Sequence, residues 1–285
     1  MKGMMYEYVE PEGIDPYLDS DDWSLEQKLD GVRVMAHVHE DRVEFRNNND
    51  DVMTFAAAAQ WFDRLREVLK DFPVCVLDGE LIIGTGEYWV FDLPYLQGVC
   101  GPTHAMEARR MALEALFDIV GLTGEDVGLA ADPAVGPVHL IPQFHTPGTK
   151  RWFWNRIWAG NHEGVVVKRN DGTYCPGRRV RHVLKVKITH TVDVIVVARD
   201  VGGKNARLAL FKDGHLVEIG GCSMIGKPDA QPGQVVEVKY QHVSDDVARS
   251  LYCPTVLRIR EDKAPEDCTW DQLDYAIANR EVLQP

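Results

Sequence analysis

Five short segments rich in branched and aromatic residues, 191–198, 207–211, 216–220, 235–240 and 256–260, are separated by stretches containing Gly, Asp, Asn and Pro. Each has strand length and none reaches the length of an ordinary helix. Strands packed this closely must hide their edges, and a small closed barrel does so; among small barrels the OB-fold is built from five strands. The pattern starts just after Lys187, so the sequence predicts a domain of 1–187 followed by one of 188–285.

Upstream, β-prone and helical patterns are interleaved. Residue type and spacing predict strands at 27–30 and 32–38 around a tight turn at Gly31, then a third at 42–46. Phe55, Ala58, Ala59, Phe62, Leu65, Val68 and Leu69 recur every three to four residues and predict an amphipathic helix over 53–70. Residues 74–77 lead into Asp78-Gly79-Glu80-Leu81, read as strand, turn and strand, and 88–93 is a further strand. A helix over 103–120 should turn Met106, Leu113, Leu116 and Phe117 inward. Residues 121–137 read as a connection, and 138–144 as a return to the sheet. Residues 151–159 read as a helix buried on an aromatic face, followed by strands at 164–168 and 183–187 and, near the end, a helix over 267–280.

Composition narrows the function classes. The net charge is −13, which argues against indiscriminate nucleic-acid binding. Against that acidic background stands one basic cluster, Arg178, Arg179, Arg181, Lys185 and Lys187, which suits a phosphate site or a solvated face equally. Six cysteines without a CxxC pair point to free thiols. No apolar run approaches the roughly 18 residues of a membrane span, and the N-terminal segment lacks a signal-like core, so the expected location is the cytoplasm.

Four separated segments share a chemical character: Glu26-Gln27-Lys28-Leu29-Asp30-Gly31-Val32-Arg33, Asp78-Gly79-Glu80, Glu163 through Lys168, and Lys185-Val186-Lys187. In strands, Glu26, Lys28 and Asp30 would share one face, as would Lys185 and Lys187. Charges set among apolar β-formers are costly unless paired or bound to a ligand, which favours a polar cleft. Lys28 is then either half of an ion pair or a nucleophile, which needs its ammonium, with a reference pKa of about 10.4, to lose a proton. Arg33 could position a ribose or phosphate, Glu80 could accept from ribose hydroxyls, and Glu163 could hold a hard divalent ion. Lys185 and Lys187 would supply positive charge at a transferring phosphoryl group. Phe91 either packs in the core or offers its ring to a base.

Lys28-Leu29-Asp30-Gly31-Val32-Arg33 resembles the KxDGxR signature of the lysine-dependent nucleotidyltransferases, a superfamily of ATP-dependent DNA ligases, RNA ligases and RNA capping enzymes. Asp78-Gly79-Glu80, Phe91-Asp92, Glu163-Gly164 and Lys185-Val186-Lys187 continue the resemblance in order, and it covers about residues 23–263. It implies an α+β fold: an adenylation domain with antiparallel sheets and flanking helices, then an all-β OB-fold domain. It implies Lys28 as the adenylated nucleophile, with Asp30, Lys185 and Lys187 in the catalytic set. Glu26, Gln27, Arg33, Glu80, Phe91, Lys168 and Arg179 would surround the nucleotide, and Glu80 and Glu163 would associate with metal. Arg46 matches an arginine that grips the 5′-phosphate of a nick, and Arg178 is an alternative register for Arg179. Arg260-Glu261-Asp262-Lys263 resembles the terminal motif of DNA ligases, in which Arg260 and Lys263 would help orient pyrophosphate.

The resemblance therefore implies ATP and Mg²⁺, with Mn²⁺ as an alternative ion, and a monomer sealing nicked duplex DNA in replication, repair or recombination. An RNA-containing duplex is the closest alternative acceptor. A capping guanylyltransferase and a noncatalytic OB-containing nucleic-acid-binding protein are weaker alternatives. The chain departs from the family pattern at Asn48, where glycine is common; asparagine tolerates the positive φ such a turn can demand. It departs again at 220–234, too short for a DNA-encircling insertion, so grip would fall to the two domains or to a partner.

Overall fold

The computed structural model describes residues 1–54, 56–122, 138–160, 162–244 and 249–273, with the side chains of 56–60 left out. Phe55, the side chains of Ala58 and Ala59, residues 123–137 of the expected connection and 274–280 of the expected last helix lie outside the described residues. Among the described residues the chain forms two compact units, one within 1–156 and 164–186, the other within 157–163 and 187–273.

The first unit holds two five-stranded sheets. In one, the order is β1 (Met5–Val9), β10 (Arg179–Lys187), β9 (Gly164–Arg169), β2 (Trp23–Gln27), β8 (Gln143–Phe144). In the other it is β4 (Val43–Arg46), β3 (Val32–Val38), β5 (Cys75–Ile82), β6 (Glu87–Leu96), β7 (Val138–Leu140). β2 pairs antiparallel with β8 and β9, β3 with β4 and β5, and β5 with β6, while β1 with β10 and β6 with β7 run parallel. Short α1 (Asp15–Leu18) precedes β2, and α4 (Pro147–Ala159) follows β8. Helices α2 (Ala56–Leu69) and α3 (Met106–Ile119) supply Phe62, Leu65, Leu69, Leu113, Leu116 and Phe117 to a core that also takes Val34, Ala36, Leu77, Tyr88 and Val90. Each Val, Leu or Phe among them, fully buried, contributes about 1.5–3 kcal/mol, so these stripes fix which helix face meets the sheet.

Three local expectations change. The strand before Gly31 stops at Gln27: the Lys28 amide donates to the Gly164 carbonyl at 2.9 Å, and Lys28–Gly31 is a loop. Period-two alternation therefore does not place Lys28 and Asp30 beside Glu26. There is no turn at Gly79, which lies inside continuous β5 at an irregularity in its pairing with β6. A Cβ there would stand 2.6 Å from the Tyr88 ring, so glycine serves close approach rather than chain reversal. Of the apolar side chains on α4 only Phe153 and Ile157 are fully buried, while Trp152 and Trp158 are 42% and 49% exposed, so the aromatic side chains are divided between interior and solvent.

The second unit carries the five C-terminal strands in the order β13 (His215–Ser223), β12 (Asn205–Lys212), β11 (His190–Arg199), β14 (Val235–Tyr240), β15 (Thr255–Ile259). All pairs in this sheet are antiparallel, and Val194, Val196, Leu208, Leu210, Val236 and Val238 are buried in its core. In the described part of 267–280, single 3₁₀ turns at Pro265–Asp267 and Trp270–Gln272 replace the expected α-helix. The Cys268 carbonyl accepts from the Phe211 amide of β12 at 2.8 Å, which takes it from any helical ladder.

Candidate active site

A cleft of about 260 Å³ opens in the first unit. The lysine-bearing loop supplies Lys28 and Leu29, and the end of β2 supplies Glu26 and Gln27. Gly31 lets this loop turn against β5: a Cβ on it would lie 2.6 Å from the Leu81 carbonyl oxygen and 2.9 Å from the Glu80 side chain. Glu80 and Phe91 enter from β5 and β6, Lys168 from β9, and Arg179 and Lys185 from β10. Nine of the residues singled out from the sequence thus converge, with Arg33 of β3 completing the set.

The wall of the cleft is held by buried charge pairs. Lys168 and Glu26 are each 2% exposed and stand 2.7 Å apart. Gln143 donates to the other Glu26 oxygen at 2.8 Å, and Lys168 Nζ donates to the Phe91 carbonyl at 2.7 Å. The next residue, Asp92, takes two bonds from Arg109 of α3, at 2.8 and 2.9 Å. Burial disfavours charge on Asp92, but Arg109 outweighs it and holds the carboxyl below its usual pKa. The Phe91 backbone is thereby fixed from two sides, and its ring has Lys168 and Arg33 at 5.1 and 5.4 Å from its centroid.

Arg33 is oriented by Asp78. Its Nε and Nη2 donate to the two carboxylate oxygens at 2.8 and 2.6 Å, and Nη1 donates to the Met4 carbonyl at 2.7 Å. Burial works against its charge, yet the facing carboxylate outweighs it and raises the guanidinium pKa well above the ordinary value. Three of the five N–H donors of the guanidinium are occupied, which leaves two for a ligand.

Other residues singled out from the sequence lie elsewhere. Asp30 sits in the loop after Lys28 without lining the cleft. Arg46 donates to Glu44 at 2.7 Å and to the Asp50 carbonyl at 2.9 Å. Arg178 is exposed, and its carbonyl accepts from the Met5 amide. In the second unit, Lys187 Nζ lies 3.1 Å from Glu163 and donates to Gln241 at 3.2 Å. Arg260 donates to Asp193 at 2.9 Å and to Asp262 at 2.8 and 2.9 Å, while Lys263 donates to Asp193 at 2.8 Å. The hydrogen bond from Arg260 pulls the exposed Asp262 carboxyl down to about 2.

Met5, Tyr6 and Ile141, which no motif marks, also line the cleft, as do Asn48 and Val166. Asn48 does not occupy a positive-φ position; Asp50 does, at φ 75°. Lys150 is fully buried and donates to the carbonyls of Tyr17, Ser20 and Trp23. Among the described residues no group of three or more His, Cys, Asp or Glu could cage a metal by itself. Glu80 in the cleft suits a hard ion that keeps most of its other ligands from substrate phosphates.

A two-sheet domain that gathers a lysine, a carboxylate, an aromatic ring and several cations in one cleft, followed by an OB-fold, is the nucleotidyltransferase fold expected from the lysine motif. Residues 84–187 match the family model for the ATP dependent DNA ligase domain. The chain belongs to the ATP-dependent DNA ligase family. It is 29% identical to a probable DNA ligase of Streptomyces coelicolor over 92% of this chain and 60% of that protein. It is 31% identical to a probable DNA ligase of Pseudarthrobacter chlorophenolicus over 72% of this chain and 43% of that one. The chain thus spans about three-fifths or less of the length of these curated relatives. Its fold resembles the ligase domain of M. tuberculosis LigD at TM-score 0.53 and 20% identity, covering 94% of this chain and 98% of that one. A structure from a structure-function study of Lig E DNA ligases matches at TM-score 0.62 and 16% identity, covering 91% and 99%.

Proposed function

We propose that the chain is an ATP-dependent DNA ligase that seals 3′-hydroxyl/5′-phosphate nicks through lysyl-AMP and DNA-adenylate intermediates. The observation that carries this reading is the convergence of Lys28, Glu80, Phe91 and Lys185 on one cleft. A mycobacterial DNA ligase D with a similar fold has been solved with ATP, at TM-score 0.52 and 21% identity, which supports ATP as the nucleotide.

In this reading Phe91 and Val166 face the base, and Glu80 and Arg33 meet the ribose. The ε-amine of Lys28, as the free base, attacks the α-phosphorus; a P–N bond forms, the bond to the β-phosphate oxygen breaks, and pyrophosphate leaves. Lys185 and Lys187 stabilise charge gathering on the α-phosphate. Mg²⁺, held by Glu80 or Glu163 and by phosphate oxygens, would neutralise phosphate charge when bound. AMP then passes to a 5′-phosphate bound near Arg46, and the 3′-hydroxyl displaces it. Residues 1–187 act as the adenylation module and 188–285 as the module that grips the duplex, with Arg260 and Lys263 exchanging Asp193 for pyrophosphate. Most affinity for the duplex comes from its phosphates, so joining is independent of sequence. The enzyme works as a monomer in the cytoplasm.

The test incubates the protein with Mg²⁺ and α-labelled ATP or GTP, then with nicked DNA and nicked RNA–DNA duplexes. Label from ATP should become lysine-linked, Lys28→Ala should abolish it, and nicked DNA should be joined. Absence of lysyl-AMP refutes the reading. GMP linkage would indicate capping chemistry, and sealing confined to RNA would reverse the acceptor.

A further inference from the structure

The N-terminal strand β1 belongs to no motif singled out from the sequence, yet Met5 and Tyr6 line the cleft. We propose that Tyr6 is a positioning residue of the nucleotide site, its ring holding Arg33 and its carbonyl holding Arg179 at the cleft wall. This rests on reading the cleft as the ATP site.

The geometry separates the two contributions. Arg33 is tied along its edges, by Asp78 at Nε and Nη2 and by the Met4 carbonyl at Nη1. Bonds in the plane of a guanidinium leave it free to tilt out of that plane. The Tyr6 ring, with its centroid 4.8 Å from Arg33 Cζ, is the nearer of two rings against the cation, the Phe91 ring lying at 5.4 Å, and it attracts the cation from outside that plane. One atom group away, Arg179 Nη1 donates to the Tyr6 carbonyl at 2.6 Å.

The strand pairing shows why Tyr6 reaches both cations. β1 runs parallel to β10 with Met5 opposite Arg179 and Tyr6 opposite Val180, and then the register jumps so that Glu7 faces Leu184 and Tyr8 faces Lys185. The three residues skipped, Arg181, His182 and Val183, let Arg179 and Lys185 both line one cleft although six positions separate them. The jump falls immediately after Tyr6, so this residue marks the point at which the strand couples the Arg33 side of the cleft to the β10 side. Burial pushes the Tyr6 phenol pKa well above its ordinary value, so the ring stays neutral beside both arginines.

A packing role is the rival, because Tyr6 also touches the cluster of Met4, Met35, Val76 and Tyr174. Packing would change the amount of folded enzyme and leave the ATP dependence of the folded fraction alone. Single-turnover adenylylation of Lys28 is therefore measured against ATP concentration for the wild-type protein, Tyr6→Phe and Tyr6→Leu, with thermal midpoints in parallel. Tyr6→Phe keeps the ring and the carbonyl and should match wild type. Tyr6→Leu should raise the apparent ATP constant by about threefold to thirtyfold, the equivalent of one cation–π contact, at unchanged final amplitude. Should Tyr6→Leu not fold, Tyr6→Met carries the same comparison with an unbranched, ring-free side chain. An unchanged ATP constant with only lowered amplitude or midpoint overturns the inference, as does Tyr6→Phe losing as much as Tyr6→Leu. Wild-type protein that forms no lysyl-AMP refutes the reading of the cleft and the inference together, whereas wild-type adenylylation with no effect of the ring refutes the inference alone.

Discussion

Asp78→Asn removes the anion that orients Arg33 while preserving the shape of the side chain. Asp78 is 0% exposed and accepts three bonds, two from Arg33 at 2.8 and 2.6 Å and one from the Tyr174 hydroxyl at 2.8 Å. An asparagine keeps one oxygen and turns an NH₂ group toward donors. Losing one charge-assisted hydrogen bond costs about 1.5–3 kcal/mol, and stranding one partner of a buried pair costs about 3–5 kcal/mol. Arg33 keeps 14% of its side chain exposed, so water can recover part of that loss, and a net cost of about 2–4 kcal/mol follows. With a urea m-value of about 1–3 kcal/mol per molar, the unfolding midpoint should fall by about 1 M or more. The assay is urea unfolding followed by tryptophan fluorescence, paired with ATP-dependent formation of lysyl-AMP. In an Arg33→Met background the same Asp78 change should cost much less, because the stranded cation is gone. A midpoint within about 0.3 M of wild type, with the ATP constant unchanged, would refute the reasoning that this pair sets the cleft wall.

Gly79→Ala should destabilise by about 1–3 kcal/mol in the same urea assay, since the added Cβ would meet the Tyr88 ring at 2.6 Å and the Trp89 carbonyl oxygen at 2.7 Å. Asp92 predicts a pH dependence. Its folded-state pKa lies below its unfolded value of about 3.9, so its contribution is complete above that pH and is lost as pH falls through the folded value. Acid titration of stability should show this loss below about pH 4 in wild type, and a weaker slope there in Asp92→Asn.

Much of the site was legible because its residues sit in contiguous motifs. Lys28, Glu80, Phe91 and Lys185 were singled out from neighbouring residue types, and the cleft contains all four. The five C-terminal strands were legible for a different reason: turn-forming residues separate them, and each is short and rich in branched or aromatic residues. Legibility failed where a residue's meaning depends on a distant partner. Gly79 signals a turn in isolation and serves a close approach once Tyr88 lies against it. Arg109 reads as one more charge on a helix and is 1% exposed, bonded to Asp92. Asp193 carries no motif, yet it binds both Arg260 and Lys263.

The chemistry available to this protein is written in its residue order: a lysine in a glycine turn, acids and cations in ordered β segments, and a β-rich domain after Lys187. Those properties are local, set by residue type and short spacing. Which charges meet is settled by the packing of the sheets. Glu26 pairs with Lys168, Asp78 with Arg33, and an N-terminal strand without a motif brings Tyr6 to the cleft. Pairings of this kind are decided by strand order and register, because burial makes an unpaired charge costly only after the sheets have formed around it.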